Sequence, residues 1–408
     1  MAQKSQEFQL CANIARLRKK QGLTQTQLAE MLCVSNKTVS KWERGAGYPE
    51  ITQLLSLARI LGTTVDALMM SEQCGITLAG SLVSDRIKLI SAYPEKNMLS
   101  TIYSVSCAAG GSVPNVGIDL AKIDRELKIN AIGRIGNDTD GRYLVDELRQ
   151  NGIDVSGVLT SATAGTSFTD VMTDRETGER TFFHYRGANA EFGPWDVDVQ
   201  SLSCRMIHVA YILMMDALDA EDPEYGTVMA HFLRDLQEAG ILTSFDVVSD
   251  SSGLFREKVI PALRYTDNAF MNEIEACGIS GLPPRDENGR VIVENIRKTM
   301  EMILSEGVRQ RVIVHCPEAG FCLNHSGTFT VVPSLKLPKG YIKGTVGAGD
   351  AFCAGCLYGI YRGFDDRQIL EFASGAAAAN LSEVDAVSGM CDKDAIFDLI
   401  AKYPRRVL

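Results

Sequence analysis

Apolar residues recur every three or four positions through the first seventy residues, then give way to short apolar runs that alternate with helical stretches. Ile14, Leu17, Leu28, Met31, Leu32, Val39, Trp42, Leu54, Leu55, Ala58, Leu61 and Leu68 carry the first pattern. It predicts five short helices between residues 8 and 70. Thr24 and Ser35 are good N-caps for helices over 25–32 and 36–44. Only Cys33 and Val34 separate the two, and helices joined by so short a turn form a helix-turn-helix. Gly45 and Gly47 stop the second helix, and Pro49 opens the next segment.

From Gly75 the pattern changes. Short β-type runs at 75–82, 129–135, 206–211, 242–247, 269–271 and 312–315 alternate with helical patterns at 114–127, 141–152, 225–239, 291–305, 351–361 and 367–381. Such alternation predicts an α/β fold, a doubly wound, mostly parallel sheet with helices on both faces. Residues 166–173 and 180–185 flank a turn at 174–178 and read as a hairpin in a small β lid. A polar junction at 71–74 places the boundary between an all-α domain, 1–72, and a larger domain, 73–408.

Composition changes this picture little. The 408 residues are 45% hydrophobic and 23% charged, ordinary for a soluble globular protein. No apolar run reaches membrane-spanning length, and residues 1–10 lack the apolar core of a leader. The expected location is the cytoplasm, with no membrane partner. Eleven cysteines are scattered, several inside apolar stretches (Cys204, Cys277, Cys316), and read as core residues. Cys353 and Cys356 have redox or metal spacing, but no second pair lies nearby, so helix packing is the reading. The five histidines show no ligand spacing. Charge is uneven: residues 1–72 carry +3 against −10 for the whole chain, which leaves −13 for the rest. The acidic bulk repels nucleic acid; the N-terminal segment need not.

The chemistry concentrates in Gly344-Thr345-Val346-Gly347-Ala348-Gly349-Asp350-Ala351-Phe352. Small residues leave successive N–H groups free to converge on an anion, ahead of a helix expected to begin at Ala351. The helix N-terminus adds partial positive charge. Asp350 stands beside that cradle, where a carboxylate can take a proton from an attacking hydroxyl. Phosphate cradle plus base equips an enzyme for phosphoryl transfer to an alcohol.

This nonapeptide resembles the C-terminal signature of the ribokinase-like (PfkB) carbohydrate kinases. Four further pieces match that family in order between about Gly75 and Met390. Gly80-Ser81-Leu82-Val83-Ser84-Asp85 resembles a strand ending in the acid that holds sugar hydroxyls, although Asp85 alone also reads as a strand-end cap. Gly110-Gly111-Ser112-Val113-Pro114-Asn115 resembles the N-terminal signature; its glycines imply close approach to the sugar, and Asn115 a sugar contact. Residues 133–141 resemble the segment that follows. Asn272-Glu273-Ile274-Glu275 resembles the N-x-x-E element, which implies a role for Asn272 and Glu275 near ATP through the water around Mg²⁺, with no direct protein ligand; taken alone the pair also reads as helix capping. Thr345, Gly347, Ala348 and Gly349 would meet ATP. Arg186 and Asn189 read equally as substrate-facing or solvated.

Three departures stand out. Gly344 replaces the family's Asp or Asn, which leaves potassium dependence open. His315-Cys316-Pro317 replaces Thr-x-Gly beside the nucleotide. Asp246-Val247-Val248-Ser249 lacks an asparagine that many relatives place near the phosphates.

The N-terminal segment resembles the Cro/phage-repressor type of DNA-binding domain through Leu23-Thr24-Gln25, Leu28-Ala29, Val34-Ser35, Thr38-Val39-Ser40 and Trp42-Glu43-Arg44-Gly45. Cys33 stands where that family often has glycine, and a non-glycine residue at positive φ costs about 1–2 kcal/mol. The resemblance implies that Asn36, Lys37, Thr38 and Lys41 read bases or phosphates of double-stranded DNA and that Gln25 meets a phosphate. A charge of +3 is modest, so useful affinity calls for a homodimer on two half-sites. The combined expectation is an ATP- and Mg²⁺-dependent sugar kinase coupled to transcription. Two other readings stay open: a sugar-sensing regulator without turnover, and an enzyme whose first domain serves assembly. Pentoses, hexoses, keto-acid sugars and nucleosides all remain candidate acceptors.

Overall fold

The computed structural model describes residues 10, 11, 13–15, 17–19, 21–69, 74–248 and 253–408. Phe8, Met70, residues 71–73 of the expected junction and Ser249 lie outside the described residues. The chain divides into two compact units, Met1–Cys74 and Gly75–Leu408.

The first unit is helical. After helical residues between 10 and 19 come α1 (Gln25–Met31), α2 (Asn36–Glu43), α3 (Ile51–Ile60) and α4 (Val65–Met69). Local chemistry sets the boundaries of the pair. The Thr24 hydroxyl accepts the N–H of Gln27, and the Ser35 hydroxyl that of Thr38, so each helix starts on a satisfied cap. Cys33 takes φ +56° in the turn, the strained position anticipated from its place between the helices. Ile14, Leu28, Val39, Leu57 and Leu68 are fully buried and Trp42 nearly so, one or more from each helix. Each such side chain contributes about 1.5–3 kcal/mol by leaving water.

The second unit opens with β1 (Ile76–Gly80), β2 (Val83–Ile90), β3 (Ile102–Gly110), α5 (Ser112–Ile123), β4 (Ile129–Ile135), α6 (Thr139–Gln150) and β5 (Asp154–Thr160). It continues through β6 (Phe168–Asp174), β7 (Arg180–Tyr185), β8 (Met206–Ile212), α7 (Val228–Glu238), β9 (Leu242–Val247), α8 (Phe255–Leu263), β10 (Asn268–Asn272) and α9 (Glu273–Ser280). It ends with α10 (Val293–Ser305), β11 (Arg311–His315), β12 (Ala319–Asn324), β13 (Phe329–Pro333), α11 (Ala348–Arg362), α12 (Asp366–Asn380) and α13 (Lys393–Lys402). Nine strands form one sheet in the order β13-β12-β11-β10-β9-β8-β1-β4-β5. Pairing is parallel from β5 to β11 and antiparallel for β12 and β13. One face carries α5, α6, α11, α12 and α13, through side chains such as Leu144, Leu357 and Phe372. The other carries α7 to α10, through Phe232, Val259, Ile279 and Ile296. The doubly wound expectation holds.

A second sheet, β3-β2-β6-β7, forms the lid. The expected hairpin is its β6–β7 pair, but the lid is larger than the hairpin. The strand expected over 75–82 ends at Gly80, and Asp85 lies within β2, in the lid, rather than at the end of the first strand. Gly80 has φ +118°, and a Cβ there would meet the carbonyl oxygen of Ala210 at 1.9 Å. Only glycine lets the chain leave the main sheet at that point. Strand β3 escapes a periodicity reading because residues 102–107 are exposed on both faces, so no apolar side repeats.

Candidate active site

The helix expected from Ala351 starts three residues earlier, at Ala348. Gly347, at φ +73°, caps it in the left-handed region. A Cβ on Gly347 would come within 2.6 Å of the Ala386 carbonyl oxygen, so the tight turn and its packing both demand glycine. Ala348, Gly349 and Asp350 are therefore the first turn of α11 and not a loop before it. The N–H groups of Gly349 and Asp350 have no carbonyl partner among the described residues, as expected for a first turn. They remain free to meet an anion at the positive end of a helix of fifteen residues.

Asp350 sits among three elements. Its Oδ1 accepts from the Tyr211 hydroxyl at 2.7 Å, and its Oδ2 from Asn115 Nδ2 at 2.9 Å. Part of its surface opens onto a cavity, yet enough protein surrounds the carboxyl to desolvate it. Burial, aided by the charge of Asp246, pushes its pKa up to about 6, against the two hydrogen bonds. Asp85 lies near enough to feel Asp350, and burial with that repulsion lifts it to about 6 as well. One turn beyond Asn115, Asp119 is fully buried with neither oxygen hydrogen-bonded among the described residues. Burial, then the charge of Asp350, holds it well above the usual carboxylate range.

Two chambers meet at this point. Asp350, Tyr211, Asp246, Glu275 and Cys353 line a polar cavity of about 170 Å³. Leu335, Leu337, Ile342, Ala377 and Leu381 line a larger apolar one of about 430 Å³, which Thr345 also borders. Asn272, His315, Gly349 and Phe352 belong to both walls, so the first turn of α11 stands at their junction. Burial lowers the pKa of His315 to about 4, so its ring is neutral at pH 7 and lies 5.1 Å from that of Phe352.

Several expected ligands turn out to be engaged inside the protein. Gly110 leaves room for Asp85, whose Oδ2 would stand 2.3 Å from a Cβ. Gly111, at φ +80°, caps α5 against the Ser81 carbonyl. Asn115 offers its amide nitrogen to Asp350. Asn272 and Glu275 form a reciprocal capping box for α9, with bonds of 2.8 and 2.7 Å from Asn272 to the Glu275 carboxylate, while remaining in the cavity wall. Arg186 is committed to Asp216 at 2.5 Å and to the Leu213 carbonyl at 3.1 Å. Asn189 bonds both main-chain groups of Leu82, which excludes a solvated role. Tyr211 escaped sequence reading altogether. A tyrosine at a strand end carries no local signal, and its partner Asp350 is 139 residues away.

In the helical unit, Lys37 and Lys41 are exposed on α2. Asn36 Nδ2 donates to Thr26 Oγ1 at 2.6 Å, and Thr38 Oγ1 lies 2.8 Å from Ser35 Oγ. Gln25 Nε2 donates to Glu43 at 2.7 Å, and Glu43 also takes two bonds from Arg18. That network ties α1 and α2 to the preceding helix.

Residues 78–392 match the pfkB family of carbohydrate kinases, and residues 14–68 match a helix-turn-helix domain. The chain belongs to the pfkB family and is by class a sugar kinase. It is 25% identical to fructokinase-1 of Zea mays, over 72% of this chain and 89% of that protein. It is 24% identical to a nucleoside kinase of Methanothermobacter thermautotrophicus, over 76% and 90%. Its fold matches an Arabidopsis thaliana ribokinase complexed with ribose and ATP at a TM-score of 0.67 and 19% identity, covering 80% of this chain and 99% of the other. No helix among the described residues is long and apolar enough to cross a membrane.

Proposed function

We propose that the larger domain transfers the γ-phosphoryl group of ATP to a sugar hydroxyl with Asp350 as the base, and that the domain at 1–72 binds double-stranded DNA. The observation that carries the first part is the position of Asp350. It occupies the first turn of α11, beside unpartnered N–H groups, where a polar and an apolar chamber meet. The apolar chamber suits a nucleotide base, and the N–H groups of Gly349 and Asp350, with the turn at Gly347 and Ala348, suit its terminal phosphates. The polar chamber suits a polyol, with Asp85 accepting from neighbouring hydroxyls. Tyr211 and Asn115 hold the Asp350 carboxylate while the sugar hydroxyl gives it a proton and attacks in line. Lid closure over Asp85 excludes water.

Mg²⁺ fits this site through water: the nearby carboxylates of Glu275 and Asp246 line the cavity without forming a cage of their own, which is the mode Mg²⁺ favours. Bound with the nucleotide, it neutralises phosphate charge. Gly344 offers no carboxylate for a monovalent cation, and a Cβ there would lie 2.8 Å from the Val384 carbonyl. Turnover is therefore expected to be independent of potassium.

Lys37 and Lys41 support the second part: exposed cations on α2 beside Asn36 and Thr38, in an otherwise acidic chain. A homodimer on two half-sites would supply the affinity that one weakly basic domain lacks. The lid supports dimerisation with exposed Ile102, Tyr103, Val105, Phe182 and Phe183. Coupling of sugar level to DNA binding would follow if sugar changed the dimer. ATP turnover across a panel of sugars, with DNA binding measured with and without the accepted sugar, tests both parts. Ligand binding without turnover in every case would favour the sensor reading. DNA affinity no higher than that of a Lys37→Ala, Lys41→Ala double variant would favour assembly.

A further inference from the structure

Cys353 lies one turn beyond Asp350 on α11, and its partners come from elsewhere in the chain. Its Sγ is 3.7 Å from Nε2 of His208, in β8, and that nitrogen is 3.4 Å from Oδ2 of Asp246, in β9. The three donor atoms all lie within 4.8 Å of one another, and all three residues are buried. A tetrahedral ion with bonds of about 2.0–2.3 Å has donor-to-donor edges of about 3.3–3.8 Å. The two measured edges fall in that range.

The hydrogen bonds around the cluster leave its donors ready. Ser244 Oγ donates to the Ile207 carbonyl at 3.2 Å, so it accepts from His208 Nδ1 at 3.1 Å. Nδ1 can therefore hold the ring proton when an ion takes Nε2, the nitrogen that faces Cys353 and Asp246. In the metal-free protein that nitrogen hydrogen-bonds Asp246, a bond that an ion between the two would replace. Asp246 Oδ2 accepts from Ser112 Oγ at 3.2 Å, while the buried Oδ1 has no partner among the described residues. An imidazole fixed by a neighbouring hydroxyl, one thiol and one under-satisfied carboxylate is a donor set for a borderline-soft divalent ion. Cys356, one turn further on, takes no part, so the Cys353–Cys356 spacing misdirects: the ligands to join with Cys353 are 107 and 145 residues away in sequence.

We propose that His208, Asp246 and Cys353 bind Zn²⁺, with the fourth position left to a water from the cavity that Asp246 and Cys353 line. The ion displaces the Cys353 thiol proton to solvent as the Zn–S bond forms, so affinity rises with pH. The site borders the same polar cavity and shares Asp246 with the Mg²⁺ reading above, but its test reads metal binding without turnover.

The test uses the full chain, stripped of metal and titrated with Co²⁺, whose thiolate complexes absorb in the near ultraviolet. The expected result is a thiolate-to-cobalt band saturating at one ion per chain and discharged by Zn²⁺. The band should vanish in Cys353→Ser, which keeps the side chain's size, and persist in Cys391→Ala. Ser244→Ala should weaken binding about 10–100-fold while leaving the band in place, the signature of a positioning residue. Lack of a thiolate band in the wild-type protein overturns the proposal, whatever the variants do. So does a band that survives in Cys353→Ser.

Discussion

The two units place their chemistry in opposite surroundings. In the helical unit the proposed DNA contacts Lys37 and Lys41 stand in water on a helix whose other face, Val39 and Trp42, closes a small core. In the kinase unit the carboxylates in and around the candidate site are withdrawn from water and crowded: Asp350, Asp85, Asp119 and Asp246 all have raised pKa values, chiefly through burial. The first arrangement costs the fold little. The second sets stability against function, because like charges are held close in a poorly solvated pocket.

Asp350→Asn breaks that contrast most sharply. Turnover should fall about 10²–10⁴-fold, because the base is lost. Stability should rise, and the sign follows from the raised pKa. The folded state holds the Asp350 proton more tightly than the unfolded chain, so this group favours folding below pH 3.8 and loses that contribution as pH rises through about 6. At pH 8 the neutral amide should therefore melt higher than the wild type. A variant with wild-type turnover would remove Asp350 from the mechanism.

The helical unit offers the matching test. Lys37→Ala and Lys41→Ala should each weaken DNA binding roughly uniformly across sequences and reduce the salt slope by about one. Their melting curves and sugar-kinase rates should not change. An unaltered salt dependence would take these lysines off the DNA.

A smaller effect is expected from pH alone. If Asp350 is the base, activity should decline below about pH 6, and at pH 5 fall to about a tenth of its plateau. In Asp85→Asn the midpoint should move to lower pH, because a negative neighbour has been removed. A flat profile between pH 5 and 8 would sink the assignment.

Cys33→Gly is the mildest change. Relief of the φ +56° position should stabilise the helical unit by no more than about 1–2 kcal/mol, read as a higher melting point of residues 1–72 made alone or in the full chain. No gain would mean that the Cys33 side chain compensates for the strain.

What could be read from residues follows from where the signal is local. Thr24 and Ser35 mark helix starts because a cap acts within three residues. The runs 129–135 and 242–247 match β4 and β9 in full because apolar residues (Ile129, Ile132 and Ile135; Leu242, Phe245 and Val247) recur across each short run. The start of α11 was misjudged because Gly347, Ala348 and Gly349 look alike in a string of small residues; only the left-handed φ at Gly347 separates cap from helix. Strand β3 was missed because residues 102–107, exposed on both faces, lack the alternation that betrays a half-buried strand; β2 is half-buried, but Asp85 interrupts its apolar alternation of Val83, Ile87 and Leu89. Asn272 and Glu275 carried two meanings from the outset, and the geometry shows capping together with a place in the cavity wall.

By itself the chain determined its helical domain, the order of its strands and helices, and the small-residue turn that delivers Asp350 to a helix end, because each depends on contacts within a few residues. Tertiary structure alone decided that Tyr211 and Asn115 grip Asp350, that Asp85 belongs to the lid, and that His208 and Asp246 meet Cys353. Those groups are separated by a hundred residues or more, or lie where a strand changes sheets. Only the stacking of parallel strands beneath α5 and α11 brings them within hydrogen-bonding reach.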